Sequence, residues 1–492
     1  MAYSETDPLL PNVRSAPEIS EYRLPGNGEY PLSADINDDE FLSAESPETE
    51  QLPSVDFKSL LLTTLTTLIW VAVFIIVVFP TGFFWHDRLT IEARVERILS
   101  NTPLIDGHND LAIALRYLYG NHIYNKNFTR PFEDGGLYGQ VDLPRLKKGK
   151  VGGAFWSAYT SCPADGDDFS DNNYAEAVRQ TYQQIDILQR LFTAYPKYFS
   201  PTHFSSFALP AFAQGRLISP LGIEGLHQIG NSFSTLRSYY GLGVRYATLT
   251  HNCHNAYADA ALTMGPNKSI VVSKPLHHGL SSAGVVLIRE MNRMGMIVDL
   301  SHVSHDTMLD SLGGNPSKFP GGSAAPAIFS HSSSYALCPH PRNVPDSILP
   351  LIRATNSLIM VNFSPDFISC TPASPDSTTG IPDFLPANST LDHVVAHIKH
   401  IGDAIGYAHV GLGSDFDGIL STPRGLEDVS KFPALVAGML RQGISDEDVG
   451  KVVGGNVLRV WRDVETVAER LQRDGQRPRE DDLQAIFHPP EA

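Results

Sequence analysis

Metal chemistry is the first thing this sequence suggests, because imidazoles and carboxylates stand where apolar runs end. His108 and Asp110 close the run "PLIDGHND". Residues two apart in an extended strand share a face, so the pair is expected to converge as a pincer for a cation. Further along, Glu224, His251, His302, His331 and Asp415 end other apolar runs. Imidazole mixed with carboxylate suits zinc or another borderline transition metal, whereas magnesium and calcium sites are built from oxygen alone. The set exceeds what one catalytic zinc with an open position needs. Two metals sharing a carboxylate and a water are therefore expected.

Elements must bring these residues together. Eight short apolar runs follow Pro103: "PLIDGH", "GGAFWSAYT", "SPLGIEG", "VRYATLTH", "GMIVDLSH", "PAIFSH", "LIMVNFSP" and "HVGLGSDFDG". Amphipathic stretches separate them, among them 174–195, 281–294 and 391–406. That alternation predicts an α/β fold, a parallel (β/α)8 TIM-like barrel whose site lies at the C-terminal ends of the strands.

The rest of the chain bounds the setting. Of 492 residues, 54 are acidic and 37 basic, a net −17. With no basic stripe, no nucleic-acid partner is expected. Residues 1–58 hold 13 acids and three basic residues, −10 of that total, in a Pro- and Ser-rich stretch read as a disordered cytosolic tail. Within it "ETDPLLP" has the acidic dileucine form of an adaptor signal, at Leu9 and Leu10.

Residues 59–85 carry no charge. As a helix they would rise ~40 Å, enough to cross a hydrocarbon core of ~30 Å, and are read as an uncleaved transmembrane signal anchor. Flanking basic residues favour a cytosolic C-terminal part, but four sequons (Asn127, Asn267, Asn362, Asn388) and all four cysteines follow the span. A type II orientation is chosen, with the domain, residues 86–480, lumenal or extracellular. Residues 481–492 form a polar tail without a lipid-anchor signal.

The motifs resemble those of the membrane (renal-type) dipeptidases, zinc enzymes related to the barrel amidohydrolases, from about Ile91 to Glu469. By that resemblance "LIDGHNDL" supplies His108 and Asp110 to a first zinc, "GIEG" the bridging Glu224, and "DLSHVS" and "FSHSSSYALC" the second zinc's His302 and His331. It implies that His251 contacts substrate near the scissile carbonyl, that Arg342 in "PHPRNVPD" binds the dipeptide's carboxylate, and that Asp415 in "GLGSDFDG" is the catalytic aspartate. Disulfides Cys162–Cys253 and Cys338–Cys370 are implied as well. The expected function is hydrolysis of dipeptides, Cys-Gly or similar products of glutathione breakdown among them, by a hydroxide bridging two zincs.

A metal-dependent cyclic-amide hydrolase is the alternative, disfavoured because a neutral lactam offers Arg342 no carboxylate; a non-catalytic anchored barrel is disfavoured because every motif position is filled. His227, His254, His277, His278 and His305 are set aside as structural or surface residues, Asp417 as a turn residue, and Trp156 is a candidate for the pocket wall. Family members with a C-terminal lipid anchor differ from this chain, which leaves location open between an endosomal or vacuolar membrane and the cell surface. A homodimer is left open.

Overall fold

The computed structural model describes residues 57–84, 89–265 and 269–483. The expected cytosolic tail with Leu9 and Leu10, the sequon at Asn267 and most of the C-terminal tail lie outside the described residues. The chain divides into two units, Met1–Pro80 and Thr81–Ala492.

Helix α1, Phe57–Phe84, coincides with the uncharged stretch. Its described side chains are exposed, Thr63, Thr64, Thr66 and Thr67 as well as the apolar Leu61, Leu65, Leu68 and Trp70. Among the described residues, no helix is long and apolar enough to cross a membrane.

Every one of the eight apolar runs forms a strand. In chain order they are β1 (Leu104–Asn109), β2 (Val151–Ser157), β3 (Leu221–Glu224), β4 (Val244–Thr248), β5 (Ile297–Asp299), β6 (Ile328–Phe329), β7 (Leu358–Val361) and β8 (Val410–Leu412). Each pairs in parallel with the next. The curled sheet returns on itself where Asp110 N donates to Phe416 O (2.9 Å) and Asp415 N to His108 O (3.1 Å), joining the end of β8 to β1. The result is a TIM-like α/β fold. One addition was not expected: the two-residue strands Phe199–Ser200 and Leu217–Ile218 lie beside β2, through the pair Gly153 and Ile218.

The strands read as continuous apolar runs because both faces are covered. Ile105, Phe155, Tyr246, Ile297, Ile328, Leu358 and Met360 pack as one buried cluster with Trp461. A second, larger cluster joins the strands to the surrounding helices. Helices α2 (Ile91–Asn101), α3 (Asp171–Ala194), α4 (Ser282–Met294) and α5 (Leu391–Ile405) begin at Thr90, Ser170, Ser281 and Thr390, whose hydroxyls accept from the backbone N–H three residues on. The last three match the amphipathic stretches to within three residues at either end. Helix α6, Asn456–Arg473, contributes Trp461.

Register is what matters for the site. Glu224 pairs with Thr248, and Thr248 with Asp299, so β3, β4 and β5 end abreast. Side chains at and just after these ends therefore meet above one floor.

Candidate metal centre and active site

His108 is the fifth residue of β1. Asp110 follows the strand at φ −99°, ψ 26°, as the N-cap of the helix Leu111–Tyr119, yet its side chain makes no capping hydrogen bond. It reaches His108 instead, with Oδ2 3.1 Å from Nε2. The two converge as expected, although a turn and not a shared strand face brings them together.

Glu224 connects two groups. Its Oε2 lies 3.5 Å from His108 Nε2, while Oε1 lies 2.8 Å from His302 Nε2 and 3.4 Å from His331 Nε2. The Nε2 atoms of His302 and His331 are 3.0 Å apart. His331 Nδ1 faces Ser330 Oγ at 2.8 Å, and that hydroxyl donates to Asp299 Oδ2 at 2.6 Å. His331 must therefore carry its proton on Nδ1 and direct a lone pair from Nε2. His302 Nδ1 faces the side-chain amide oxygen Oδ1 of Asn252 at 3.1 Å, which favours the same tautomer. Two lone pairs pointed at each other beside a carboxylate are repulsive without a shared cation, so the donor set fits a metal. His108 is braced likewise, its Nδ1 2.6 Å from the Tyr246 hydroxyl.

Asp415 and His302 both sit at positive φ, 64° and 66°. That left-handed backbone is costly for residues other than glycine, and such strain collects at functional sites. Asp415 lies with His108 and Asp110 in a cluster whose ligand atoms are all within 4.8 Å of one another. Its Oδ2 accepts from Asn362 Nδ2 at 3.0 Å. The His251 ring is centred 4.4 Å from that of His302, and His251 shares a potential metal cluster with Glu224 and His302.

A cavity of about 520 Å³ opens above this floor. Asp110, Glu224, His251, His302, Arg342 and Asp415 all line it, while His108 and His331 are fully buried. All eight expected site residues are thus brought to one place. Both disulfides are present, Cys162–Cys253 and Cys338–Cys370, flanking the site through the loops after β2, β4, β6 and β7.

Burial dominates the electrostatics. It raises the Glu224 carboxyl above its ordinary range and Asp415 to about 7. It holds His251, His302 and His331 well below the usual imidazole range, with Arg342 adding to the effect in each. Burial works against charge on His108 too, but Tyr246, Asp110 and Glu224 outweigh it and raise that ring. Arg342 is lowered to about 10 by burial, opposed by Asp415 and Glu224. Imidazoles pushed down and carboxyls pushed up by burial in one place are a set of donors that a divalent counter-charge would relieve.

The residues set aside behave mostly as expected. His254 turns to Asp259 Oδ1 at 3.2 Å and His277 to Asn255 O at 2.8 Å, while His305 begins a helix at the surface. His227 is buried, bonded to Thr160 O at 3.2 Å. Asp417 does shape its turn by accepting from Gln140 N at 2.6 Å, and it also lines the cavity.

Two expectations are corrected. Trp156 packs against Phe199 inside the core, because its place on β2 faces outward from the barrel mouth. Asn362 cannot carry a glycan, since it is fully buried with its amide bonded to Asp415.

The supporting residues Tyr246, Asn252, Asp299 and Asn362 escaped the sequence reading. A charged residue in the apolar run "GMIVDLS" was the one available signal, at Asp299; the others look like ordinary strand or loop residues.

Residues 92–475 match the profile of a family described as membrane dipeptidase, peptidase family M19. The chain belongs to that family. It is 45% identical over 399 residues to Dipeptidase aclJ of Aspergillus oryzae, covering 80% of this chain and 85% of the relative. It is also 45% identical to Dipeptidase tcpJ of Claviceps purpurea, covering 74% and 77%. Among solved structures it is similar to a metallo peptidase from Rhodobacter sphaeroides liganded with a phosphinate mimic of the dipeptide L-Ala-D-Ala, with TM-score 0.59, 25% identity, and coverage of 74% of this chain and 99% of that one. The fold of the probable dipeptidase PvdM from Pseudomonas aeruginosa is similar too, with TM-score 0.63, 21% identity, and coverage of 77% and 99%. This M19 peptidase is accordingly a dipeptide-hydrolysing metalloenzyme.

Proposed function

We propose that the M19 peptidase binds two zinc ions and cleaves dipeptides at the lumenal or extracellular face of a membrane. The observation that carries the dizinc reading is Glu224, whose two oxygens face separate imidazole groups, His108 on one side and His302 with His331 on the other. His108, Asp110 and one Glu224 oxygen would hold the first ion, and His302, His331 and the other oxygen the second. Metal at this place would supply Lewis acidity and activate water for attack at neutral pH, because coordination lowers the pKa of water toward ~7.

The chain's own residues do the rest. Arg342 lines the cavity with Nε and Nη1 unpartnered among the described residues, and its planar fork suits both oxygens of a substrate carboxylate. That contact selects substrates whose carboxylate lies one residue past the cleaved bond. His251, kept neutral by burial, can donate to the scissile carbonyl oxygen as charge develops there. Asp415, oriented by Asn362, accepts the proton of the attacking water and delivers it to the leaving amine.

Attachment follows from α1, which would place the peptidase on the membrane as a type II protein, with Leu9 and Leu10 offered to cytosolic sorting adaptors. The uncharged length of residues 59–85 and the exposed apolar side chains of α1 support that reading.

The test is hydrolysis of a dipeptide panel by the purified chain with bound metal quantified. Near two zincs per chain are expected, with turnover lost in Glu224→Gln and KM raised in Arg342→Ala. A metal-loaded protein that leaves every dipeptide intact would overturn the substrate assignment and turn attention to cyclic amides.

A further inference from the structure

We propose that Phe367 is a positioning residue for Arg342, and that the stack between them sets how tightly the substrate carboxylate is held. The proposal rests on the carboxylate-binding reading of Arg342.

A buried arginine usually has a carboxylate beside it, because an uncompensated charge in a low-dielectric interior is costly. Arg342 is 2% exposed, yet Nε and Nη1 have no hydrogen-bond partner among the described residues. Nη2 reaches only the His331 carbonyl, at 3.5 Å. What the guanidinium does have is a ring: its central carbon lies 5.3 Å from the centroid of Phe367. The choice of partner has a consequence. A guanidinium's five N–H bonds all lie in its plane, so a carboxylate partner would occupy the donors that substrate needs. An aromatic face attracts the cation from above and leaves that edge free.

Phe367 is itself fixed from several directions. It lies in the short helix Pro365–Ile368 after β7, whereas Arg342 lies in the loop after β6. Asn343, next to Arg342, donates to Phe367 O at 2.8 Å and to Cys338 O at 2.9 Å. The disulfide Cys338–Cys370 ties the same two loops. His340, whose Nδ1 accepts from Arg342 N at 3.2 Å, packs its ring 4.5 Å from that of Phe367. Arginine and ring are thus held as one unit across two loops, with the reach of the guanidinium set by the ring.

Steady-state kinetics on zinc-loaded full-length enzyme test this, using alanyl-alanine and its C-terminal amide as probes. Phe367→Leu should raise KM for the free acid about tenfold and change kcat by less than about twofold, while the amide, which has no carboxylate, is unaffected. Phe367→Tyr, which keeps the ring, should behave as the parent. If the leucine variant does not fold, Phe367→Met removes the ring with its bulk retained and carries the same comparison. In an Arg342→Ala background the effect of Phe367→Leu should vanish, since a residue acting only through Arg342 has nothing left to position.

An unchanged KM in Phe367→Leu, alongside a raised KM in Arg342→Ala, would overturn the proposal and leave the arginine reading intact. So would a Phe367 effect that persists without Arg342, which would mean direct contact with substrate. An Arg342→Ala enzyme that binds acid and amide as the parent does would instead remove the carboxylate reading and this proposal with it.

Discussion

Protons and metal compete for the same side chains in this site, and the competition has a direction. Burial raises Asp106 to about 6, Asp415 and Asp417 to about 7, and Glu224 above its ordinary range. In the unfolded chain each ionises near ~4, so above that pH the metal-free fold keeps protons the unfolded chain has released, up to about pH 6 at Asp106 and about pH 7 at Asp415 and Asp417, and loses stability as pH rises. The raised pKa of His108 acts in the same sense, its contribution present in acid and lost as pH rises through the folded value. His251, His302 and His331, lowered by burial, act oppositely and cost stability as pH falls through ~6.5. Bound metal supplies the counter-charge the carboxylates lack and needs the imidazoles neutral. The Tm difference between metal-loaded and chelator-stripped protein should therefore widen from about pH 5 to about pH 8. Thermal unfolding at both pH values checks this, and a difference that shrinks toward alkaline pH would contradict a centre built on shared carboxylates.

At the scale of elements, the site depends on strands that approach closely enough for one strand's side chain to brace another's ligand. Tyr246 on β4 fills the barrel interior next to Phe155 and supports His108 on β1. The ring has room only because β3 carries Gly222, where a Cβ would run into Tyr246 Cζ, Cε2 and the hydroxyl. Gly222→Ala should therefore force the ring aside, destabilising the fold by roughly 1–3 kcal/mol. Losing the brace on His108 should weaken metal binding by about 10–100-fold. Thermal unfolding and zinc competition with a chelator measure the two effects, and a variant with the parent's Tm and affinity would show that the brace is dispensable.

For the molecule as a whole, orientation across the membrane and glycosylation are one question. Asn127 and Asn388 are exposed, whereas Asn362 is fully buried under Asp415. A lumenal peptidase should lose mass on glycosidase treatment of the full-length chain isolated from its own membranes. Asn127→Gln and Asn388→Gln should each reduce that loss, and Asn362→Gln should leave it unchanged while impairing turnover. Absence of any glycan on membranes that glycosylate other proteins would count against the type II orientation.

Much of this protein was legible in one dimension. The (β/α)8 alternation shows because parallel strands covered on both faces must be apolar, and polar residues that interrupt such runs mark their C-terminal ends. That places His108, Glu224, His251, His302, His331 and Asp415 in one barrel mouth before any coordinates, with Arg342 added by its motif. Tertiary structure alone decided which atoms meet: that Glu224 spans two imidazole groups, that Asp110 reaches His108 from a turn, that Tyr246, Asp299 and Asn362 stand behind the ligands, that Trp156 faces away and that Phe367 meets Arg342. The physical reason is that residue type and period along one strand specify a face, whereas contacts between strands depend on register and closure. Those arise from pairings between segments far apart in the chain, and no single run of residues contains them.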